Sequence, residues 1–373
     1  MTRTVFHILP EAEPFSEFRG GALSRWVGNV LRHDEHSVVL CPSTDQTWGF
    51  SSDRVRCSSR LRKFARIRDA ANRVPWQIRK LALRSLLAPS LRDLKAGDLV
   101  WIHNRPDFAV ALTPFAHAAG ARVVLHLQNS HLVTWPEDVV RDLVVDRLIF
   151  ASRFLQREAE ARYPEARHAT VLYNGADDSV FYPARPENNT PVVLFASRLV
   201  PEKGVHIFLE AMRTLLTENI AVRGTVIGAA HFASKTKSEY VENLHRTAPA
   251  NVEFHGYCVG KELAQRFRQA DAFCFPPVWQ EPFGLVNVEA MASGLPVVAT
   301  RSGGMPEIFA EGGALLVNQN SVPELAGALR SIILNPSLRR TIAQQGYASF
   351  KKNFTWKTIY SKYRAIVELT DNS

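Results

Sequence analysis

Two carboxylates eight residues apart, Glu281 and Glu289, bracket the densest concentration of chemistry-bearing residues in the chain, Glu281-Pro-Phe-Gly-Leu-Val-Asn-Val-Glu289. Ala-Met-Ala-Ser-Gly294-Leu-Pro-Val-Val-Ala-Thr follows directly. Pro282 and Gly284 place Glu281 in a loop that enters a helix, with Glu289 about two turns along. Gly284 lets backbone come close to a ligand, and the first-turn N–H groups of that helix can receive a phosphate. A carboxylate accepts two hydrogen bonds at once, which suits the vicinal hydroxyls of a ribose or hexose. Taken alone, Glu281 reads as a helix cap and Glu289 as a solvated face residue.

A second group holds cations. Arg198 and Lys203 flank the turn Phe195-Ala-Ser-Arg-Leu-Val-Pro-Glu-Lys-Gly204 after an apolar run. A guanidinium fork and an ammonium point charge there fit a diphosphate and would stabilise its departure. The plainer reading is a pair of surface cations near Glu202. Gly20-Gly21 opens the first helix and can cradle phosphate or form a simple tight turn. Gly303-Gly304-Met-Pro-Glu307 is another loop of this kind, or merely a helix start. His126 ends the apolar run Val123-Val-Leu-His and reads as a core residue or as a contact to a sugar hydroxyl, with His131 competing for that role. No Asp-x-Asp pair occurs and no His, Asp and Glu set has metal-ligand spacing. A diphosphate would therefore be neutralised by the protein's own cations.

Those residues need elements that present them at one edge of a sheet. Short apolar runs alternate with helical periodicity, which predicts α/β architecture with parallel sheets. In the first half the strands fall at Thr4–Leu9, Ser37–Cys41, Leu99–His103, Arg122–Gln128, Arg147–Ala151 and Val171–Tyr173. A helix over Ala22–Arg32 puts Trp26, Val27, Val30 and Leu31 on one face. Residues 183–191, with three prolines and two asparagines, read as a linker. Alternation then restarts with strands at Val192–Ser197, Arg223–Ile227, Val252–His255, Ala272–Phe275, Pro296–Ala299 and Ala314–Val317. The helices include Gly204–Thr217, Lys261–Gln269 and Phe283–Ser293. The expected organisation is one doubly wound domain over 1–182, a second over 192–353, and an amphipathic helix in 354–373. Such sheets bind ligands at the carboxyl ends of their strands, so the expected site is the cleft between the domains.

Composition agrees with two globular domains. The chain has 373 residues, 46% of them hydrophobic, and no uninterrupted apolar run long enough to span a membrane. The start lacks the order of a signal peptide. Cys41, Cys57, Cys258 and Cys274 form no C-x-x-C pair and read as buried thiols of a reducing compartment. A cytoplasmic protein is expected. The net charge of +9 is unevenly placed: Arg54 to Arg92 holds 12 basic residues and one acid, leaving the rest at −2.

Together these residues resemble the family 4 glycosyltransferases, a retaining class with two facing Rossmann-like domains called GT-B. The resemblance spans nearly the whole chain and is strongest from Val192 to Leu316. It is carried by Gly20-Gly21, His126, Ala151-Ser152, Asn174-Gly-Ala-Asp177, Arg198…Lys203-Gly204, Gly228, Phe254-His-Gly256, Glu281 to Glu289, Gly294-Leu-Pro-Val-Val-Ala, Gly303-Gly304…Pro306-Glu307 and the closing aromatic helix. It implies that Arg198 and Lys203 hold the donor diphosphate, that Glu289 holds the ribose, and that Glu281 holds a donor-sugar hydroxyl. Backbone amides at Gly284, Leu285 and Val286 would meet sugar and phosphate, Gly20 and Gly21 the phosphate, and His126 the sugar hydroxyls. The closing helix would cross back to the N-terminal domain. The family's usual Asp or Gly after the histidine is replaced here by Leu127-Gln128, which opens Gln128, Asn129 and His131 as contacts. The implied reaction is metal-independent, retaining transfer from a nucleotide sugar, expected to be UDP-linked, to a cell-surface glycan such as lipopolysaccharide or exopolysaccharide. The alternatives are an inactive nucleotide-sugar-binding scaffold and a sugar-nucleotide isomerase of the same fold.

The basic segment lies in the half where such enzymes bind the acceptor. Trp76, Ile78, Leu81, Leu83, Leu86 and Leu87 alternate with Arg62, Lys63, Arg66, Arg68, Arg79, Lys80 and Arg84. Basic amphipathic helices suit an anionic membrane surface or a phosphorylated, lipid-linked acceptor, with Arg79, Lys80 and Arg84 the expected contacts. The expected location is then the cytoplasm, with peripheral contact at the inner face of the plasma membrane. A solvated basic face is the other reading. Nucleic acid is not expected as a partner, because no aromatic platform interleaves the charges.

Overall fold

Short β-branched and aliphatic runs form two parallel sheets, one in each of two compact units. The protein is described here by a computed structural model covering residues 3–17, 21–45, 48–71, 73–184, 188–230 and 238–370.

The first unit comprises Met1–Tyr173 and Tyr360–Ser373. Its strands are β1 (Val5–Ile8), β2 (Ser37–Cys41), β3 (Val55–Cys57), β4 (Leu99–His103), β5 (Arg122–Leu127), β6 (Arg147–Phe150) and β7 (Thr170–Val171). They are ordered β3-β2-β1-β4-β5-β6-β7. The helix Ala22–His33 buries Trp26, Val27, Val30 and Leu31, as its periodicity predicts. β3 lies inside the basic segment and was not expected; it is only three residues long, Val55, Arg56 and Cys57, and none of them is buried.

The second unit, Asn174–Ile359, holds β8 (Val192–Ala196), β9 (Arg223–Ile227), β10 (Val252–Phe254), β11 (Ala272–Phe275), β12 (Val297–Thr300) and β13 (Ala314–Val317). Their order is β10-β9-β8-β11-β12-β13. Residues 174–182, expected in the first domain, belong to this unit for visible reasons. The Ala176 N–H donates to the Phe354 carbonyl at 3.0 Å. Arg268 donates to the Val180 carbonyl at 3.1 Å, and Phe181 meets Phe267 edge-on. The closing helix, Trp356–Leu369, starts in this unit, while its residues from Tyr360 onward belong to the first.

In both sheets the chain winds outward in two directions from the first strand, so the switch point lies between β1 and β4 and between β8 and β11. In open sheets of this kind, ligands bind beyond the strand carboxyl ends at such a switch point.

The first unit buries an imidazole cluster on one face of its sheet. His7 faces Trp101 in register across β1 and β4, and His103 faces His126 across β4 and β5. His7 Nδ1 lies 3.2 Å from His103 Nε2, and its Nε2 lies 3.3 Å from the Tyr363 hydroxyl. Ser37 donates to Asp34 at 2.8 Å beside them. Burial is the main cause that pushes His7 and His126 down to about 3 and His103 well below the ordinary imidazole value. Asp34 opposes the shift at His7, and the neighbouring rings add to it at His103 and His126. The unfolded chain takes up protons below about pH 6.5 that these rings refuse while folded. Stability therefore falls as pH drops from there toward 3, by up to about 1.4 kcal/mol per unit for each ring. Urea midpoints should be clearly lower near pH 5.5 than near pH 7.5; equal midpoints would show that the cluster accepts protons while folded.

Candidate functional site

The switch point of the second sheet brings Lys203 and Glu281 together, with Arg198 on the same loop as Lys203. β8 runs into a loop ending at Gly204, and β11 into a loop ending at Gly284. The first of these glycines has φ +73°, and a Cβ there would fall 1.8 Å from the Pro276 carbonyl oxygen. Only glycine lets the two loops lie this close. The Val278 N–H also donates to the Glu202 carbonyl at 3.0 Å, locking one loop to the other.

Lys203 sits on this lock, 8% exposed, at the end of the turn Pro201–Lys203. Its Nζ donates to Glu281 Oε2 at 2.6 Å. Trp279 Nε1 donates to the same oxygen at 2.9 Å, and the Lys203 ammonium lies 4.9 Å from the Trp279 ring centre. Glu281 is 7% exposed and does not cap the following helix. Its backbone is fixed as well: its N–H donates to Ser302 Oγ at 3.0 Å, and its carbonyl accepts the Gly304 N–H at 2.8 Å. Ser302 closes the loop by donating to the Trp279 carbonyl. A Cβ on Gly303 would strike the Glu281 carbonyl at 2.1 Å, so this glycine allows a close approach of backbones.

Arg198 differs from Lys203. It follows β8 on the same loop, is exposed, and makes no hydrogen bond or ion pair with any described residue. The site thus contains one cation already neutralised by a carboxylate and one whose charge is free for a ligand.

The helix Leu285–Ala292 starts immediately beyond. Gly284 precedes it with φ +78°, and no side chain caps it and no acid lies in its first turn. Such a start carries partial positive charge on unsatisfied amides. Leu285 and Val286 are half-buried, and Glu289 is 2% exposed, so it is not a solvated face residue. Trp279 and Ser302 were missed by sequence reasoning. Trp279 lies two residues before Glu281 in a strand-end loop, which is the signal that could have pointed to it; a lone serine carries none.

In the first unit the helix Ala22–His33 already holds an anion. Glu13 Oε1 accepts the Gly21 N–H at 2.6 Å and the Ser24 N–H at 3.2 Å. Burial raises the Glu13 carboxyl's pKa, and these backbone bonds oppose the rise. The Gly21 amide, expected to meet phosphate, is engaged by the chain's own carboxylate; Gly20 lies outside the described residues. His126 is fully buried, its ring 5.1 Å from Trp26, and neither ring nitrogen has a hydrogen-bond partner among the described residues. His131 is half-buried and accepts from Trp135 Nε1 at 3.2 Å. Burial, aided by Arg105, pushes it down to about 4, with Asp107 opposing. The Gln128 N–H donates to Asn104 Oδ1 at 2.6 Å, while Asn129 is exposed.

The basic segment folds as the helices Ser59–Ala71 and Trp76–Leu87. Two of its three expected contact residues are corrected. Arg79 is 7% exposed, its guanidinium 5.1 Å from the Trp76 ring, and Lys80 pairs with Asp142 at 3.3 Å. Helical spacing turns both inward; only Arg84 of the three is exposed. Arg60, Arg62, Lys63 and Arg66 are exposed on the preceding helix. Four large apolar side chains are exposed among these charges: Ile67, Val74, Ile78 and Leu81. Cys57 is likewise exposed, not buried.

No group of three or more His, Cys, Asp or Glu that could hold a metal ion occurs among the described residues, and no described helix is long and apolar enough to cross a membrane.

Comparison with known proteins finds a partial family match and a shared fold. Residues 181–349 match the family model described as "Glycosyl transferases group 1". Spore coat protein SA of Bacillus subtilis is 26% identical over 73% of this chain and 78% of its own. A glycogen synthase of Mycobacterium tuberculosis is 29% identical over 91% of this chain and 89% of its own. A GDP-mannose-dependent phosphatidylinositol monomannoside mannosyltransferase of Corynebacterium glutamicum is 25% identical over 73% and 76%. Among solved structures, Anabaena HepE in complex with UDP-glucose superposes with a TM-score of 0.76 at 21% identity, covering 98% of this chain and all of that one. Sucrose-phosphate synthase of Thermosynechococcus elongatus gives 0.75 at 19%, covering both chains fully. The fold is GT-B.

Proposed function

We propose that this chain is a group 1 glycosyl transferase that moves a sugar from a UDP-linked donor to a phosphorylated or lipid-linked cell-surface glycan acceptor, with retention and without a metal ion. One observation carries the reading. At the switch point of the second sheet, an exposed, unpaired Arg198 shares a loop with Lys203, whose partner Glu281 leads into a helix with no capping side chain.

A departing nucleoside diphosphate gains negative charge as the glycosidic bond breaks. Fixed cations that hold it more tightly in that state than in the ground state lower the barrier. Arg198 supplies a fork for two phosphate oxygens, and Lys203 a point charge. Glu281 orients Lys203 and, through its other oxygen, takes a donor-sugar hydroxyl. With one oxygen saturated by an ammonium and an indole N–H, Glu281 is a poor nucleophile. That supports same-face attack by the acceptor over the two-carboxylate route of most glycosidases. Glu289 takes the ribose hydroxyls, and the Leu285 and Val286 amides take phosphate. His126, neutral and fully buried beside Trp26, lies in the packed interior of the first unit.

The purified protein, in chelator, should release UDP from a UDP-sugar in a panel that also contains GDP-sugars. Release only when divalent metal is added would overturn the metal-independent mechanism. Release from GDP-sugars alone would overturn the base. Product formed with no acceptor at all would instead favour an isomerase.

The acceptor reading rests on the basic helices, where Ile67, Val74, Ile78 and Leu81 are exposed between Arg and Lys side chains. Apolar side chains that enter a bilayer's interface, flanked by cations that meet its phosphates, make a peripheral contact at about 1 kcal/mol per charge. Reversing Arg60, Arg62, Lys63, Arg66 and Arg84 to Glu should abolish sedimentation with anionic vesicles and leave UDP binding intact. Equal binding of both proteins to the vesicles contradicts the contact.

A further inference from the structure

We propose that Cys41 and Cys57 form a redox-active dithiol that closes to an intramolecular disulfide when a small-molecule disulfide reacts at Cys57. The two residues are direct partners in the register of β2 and β3. Neighbouring strands lie about 4.7–4.9 Å apart, inside the roughly 4.4–6.8 Å Cα separation that a disulfide needs. Paired residues of parallel strands point to the same face, and the two sulfurs are already 3.8 Å apart. Side-chain rotation alone can bring them to bonding distance.

The two thiols differ in access, which assigns their roles. β3 is the edge strand of its sheet, and Cys57 is exposed on it. Cys41 is fully buried. Burial, reinforced by the Cys57 sulfur, raises the Cys41 thiol above its ordinary value. The Cys57 thiolate therefore attacks one sulfur of an external disulfide such as oxidised glutathione, forming a mixed disulfide and expelling one glutathione thiolate. Cys41 then loses its proton to solvent base. Its sulfur attacks Cys57 Sγ, forming the Cys41–Cys57 bond and expelling the second glutathione thiolate. Two protein thiols are oxidised, and one glutathione disulfide is reduced to two thiols.

The bond would be placed at the root of the basic helices. Ser58 follows Cys57, and its N–H donates to the Cys41 carbonyl at 2.9 Å. Its hydroxyl accepts the Leu61 N–H at 3.2 Å at the start of the helix Ser59–Ala71. The disulfide ties that start to β2. Cys57 is exposed, so the bond stays open to reduction by an external thiol, which suits a reversible modification.

The test uses the full-length protein with oxidised glutathione, followed by denaturation and thiol titration. Four thiols per chain are present before treatment. The expected result is a fall to two, a mass lower by two hydrogens, a Cys41–Cys57 cross-linked peptide, and full recovery with dithiothreitol. Cys41→Ser should stop at a stable glutathione adduct on Cys57, and Cys57→Ser should not react. A stable adduct on Cys57 of the unaltered protein, or a Cys57–Cys57 dimer, would overturn the proposal, as would no reaction at all. The titration of the unaltered protein decides the matter even if a variant misfolds.

Discussion

Replacing Lys203 by alanine is expected to lower both stability and turnover, the largest combined effect of any single change in the second unit. The ammonium is buried against Glu281 at 2.6 Å, with side-chain exposures of 10% and 9%. Removing one member of such a pair leaves a buried carboxylate that Trp279 alone cannot satisfy. That costs roughly 3–5 kcal/mol, or on the order of 10 °C in Tm. Turnover should fall about 10²–10³-fold, the usual loss when a group that stabilises departing charge is removed. The double change Lys203→Ala with Glu281→Ala separates the two effects. It should regain much of the stability, because no unpaired charge remains, and none of the turnover. Recovery of turnover in the double variant would show that Lys203 serves only to neutralise Glu281.

Replacing Arg198 by alanine should strike function alone. This arginine is exposed and has no partner among the described residues, so its loss removes nothing that holds the fold. Unfolding stability should stay within the scatter of surface substitutions, about ±0.5 kcal/mol. Release of nucleoside diphosphate should nevertheless fall roughly 10²-fold or more. Arg198→Lys should recover only part of it, since an ammonium cannot make the paired contacts of a guanidinium. An alanine variant with full turnover would remove Arg198 from the site.

Much of this arrangement was legible in the residues. The two parallel sheets follow from apolar runs of four to six residues separated by helical periodicity, and the carboxyl ends of β8 and β11 carry the motifs that drew notice. That Lys203 and Glu281 form a pair was not legible. They lie 78 positions apart, and only the winding of the sheet brings their two loops side by side. Trp279 and Ser302 escaped because each acts through one hydrogen bond in a loop, which leaves no periodic trace. β3 escaped because an edge strand of three residues buries too little to show alternation. In the basic segment, charge was legible but direction was not: Arg79 and Arg84 look alike in the sequence, yet five positions around a helix turn one toward Trp76 and the other to solvent. Gly21 illustrates the reverse problem. The motif marks an anion at a helix start, and in this chain the Glu13 carboxylate occupies that place.

The central claim is that Arg198 binds the donor's phosphates. It is tested most directly by titrating the unaltered protein and Arg198→Ala with UDP and with uridine in the presence of chelator. A charge-assisted contact of about 1.5–3 kcal/mol predicts that the variant binds UDP roughly ten- to a hundredfold more weakly. Uridine, which has no phosphate, should bind both proteins equally. Equal UDP affinity in the two proteins, or an equal loss for UDP and uridine, would contradict the account.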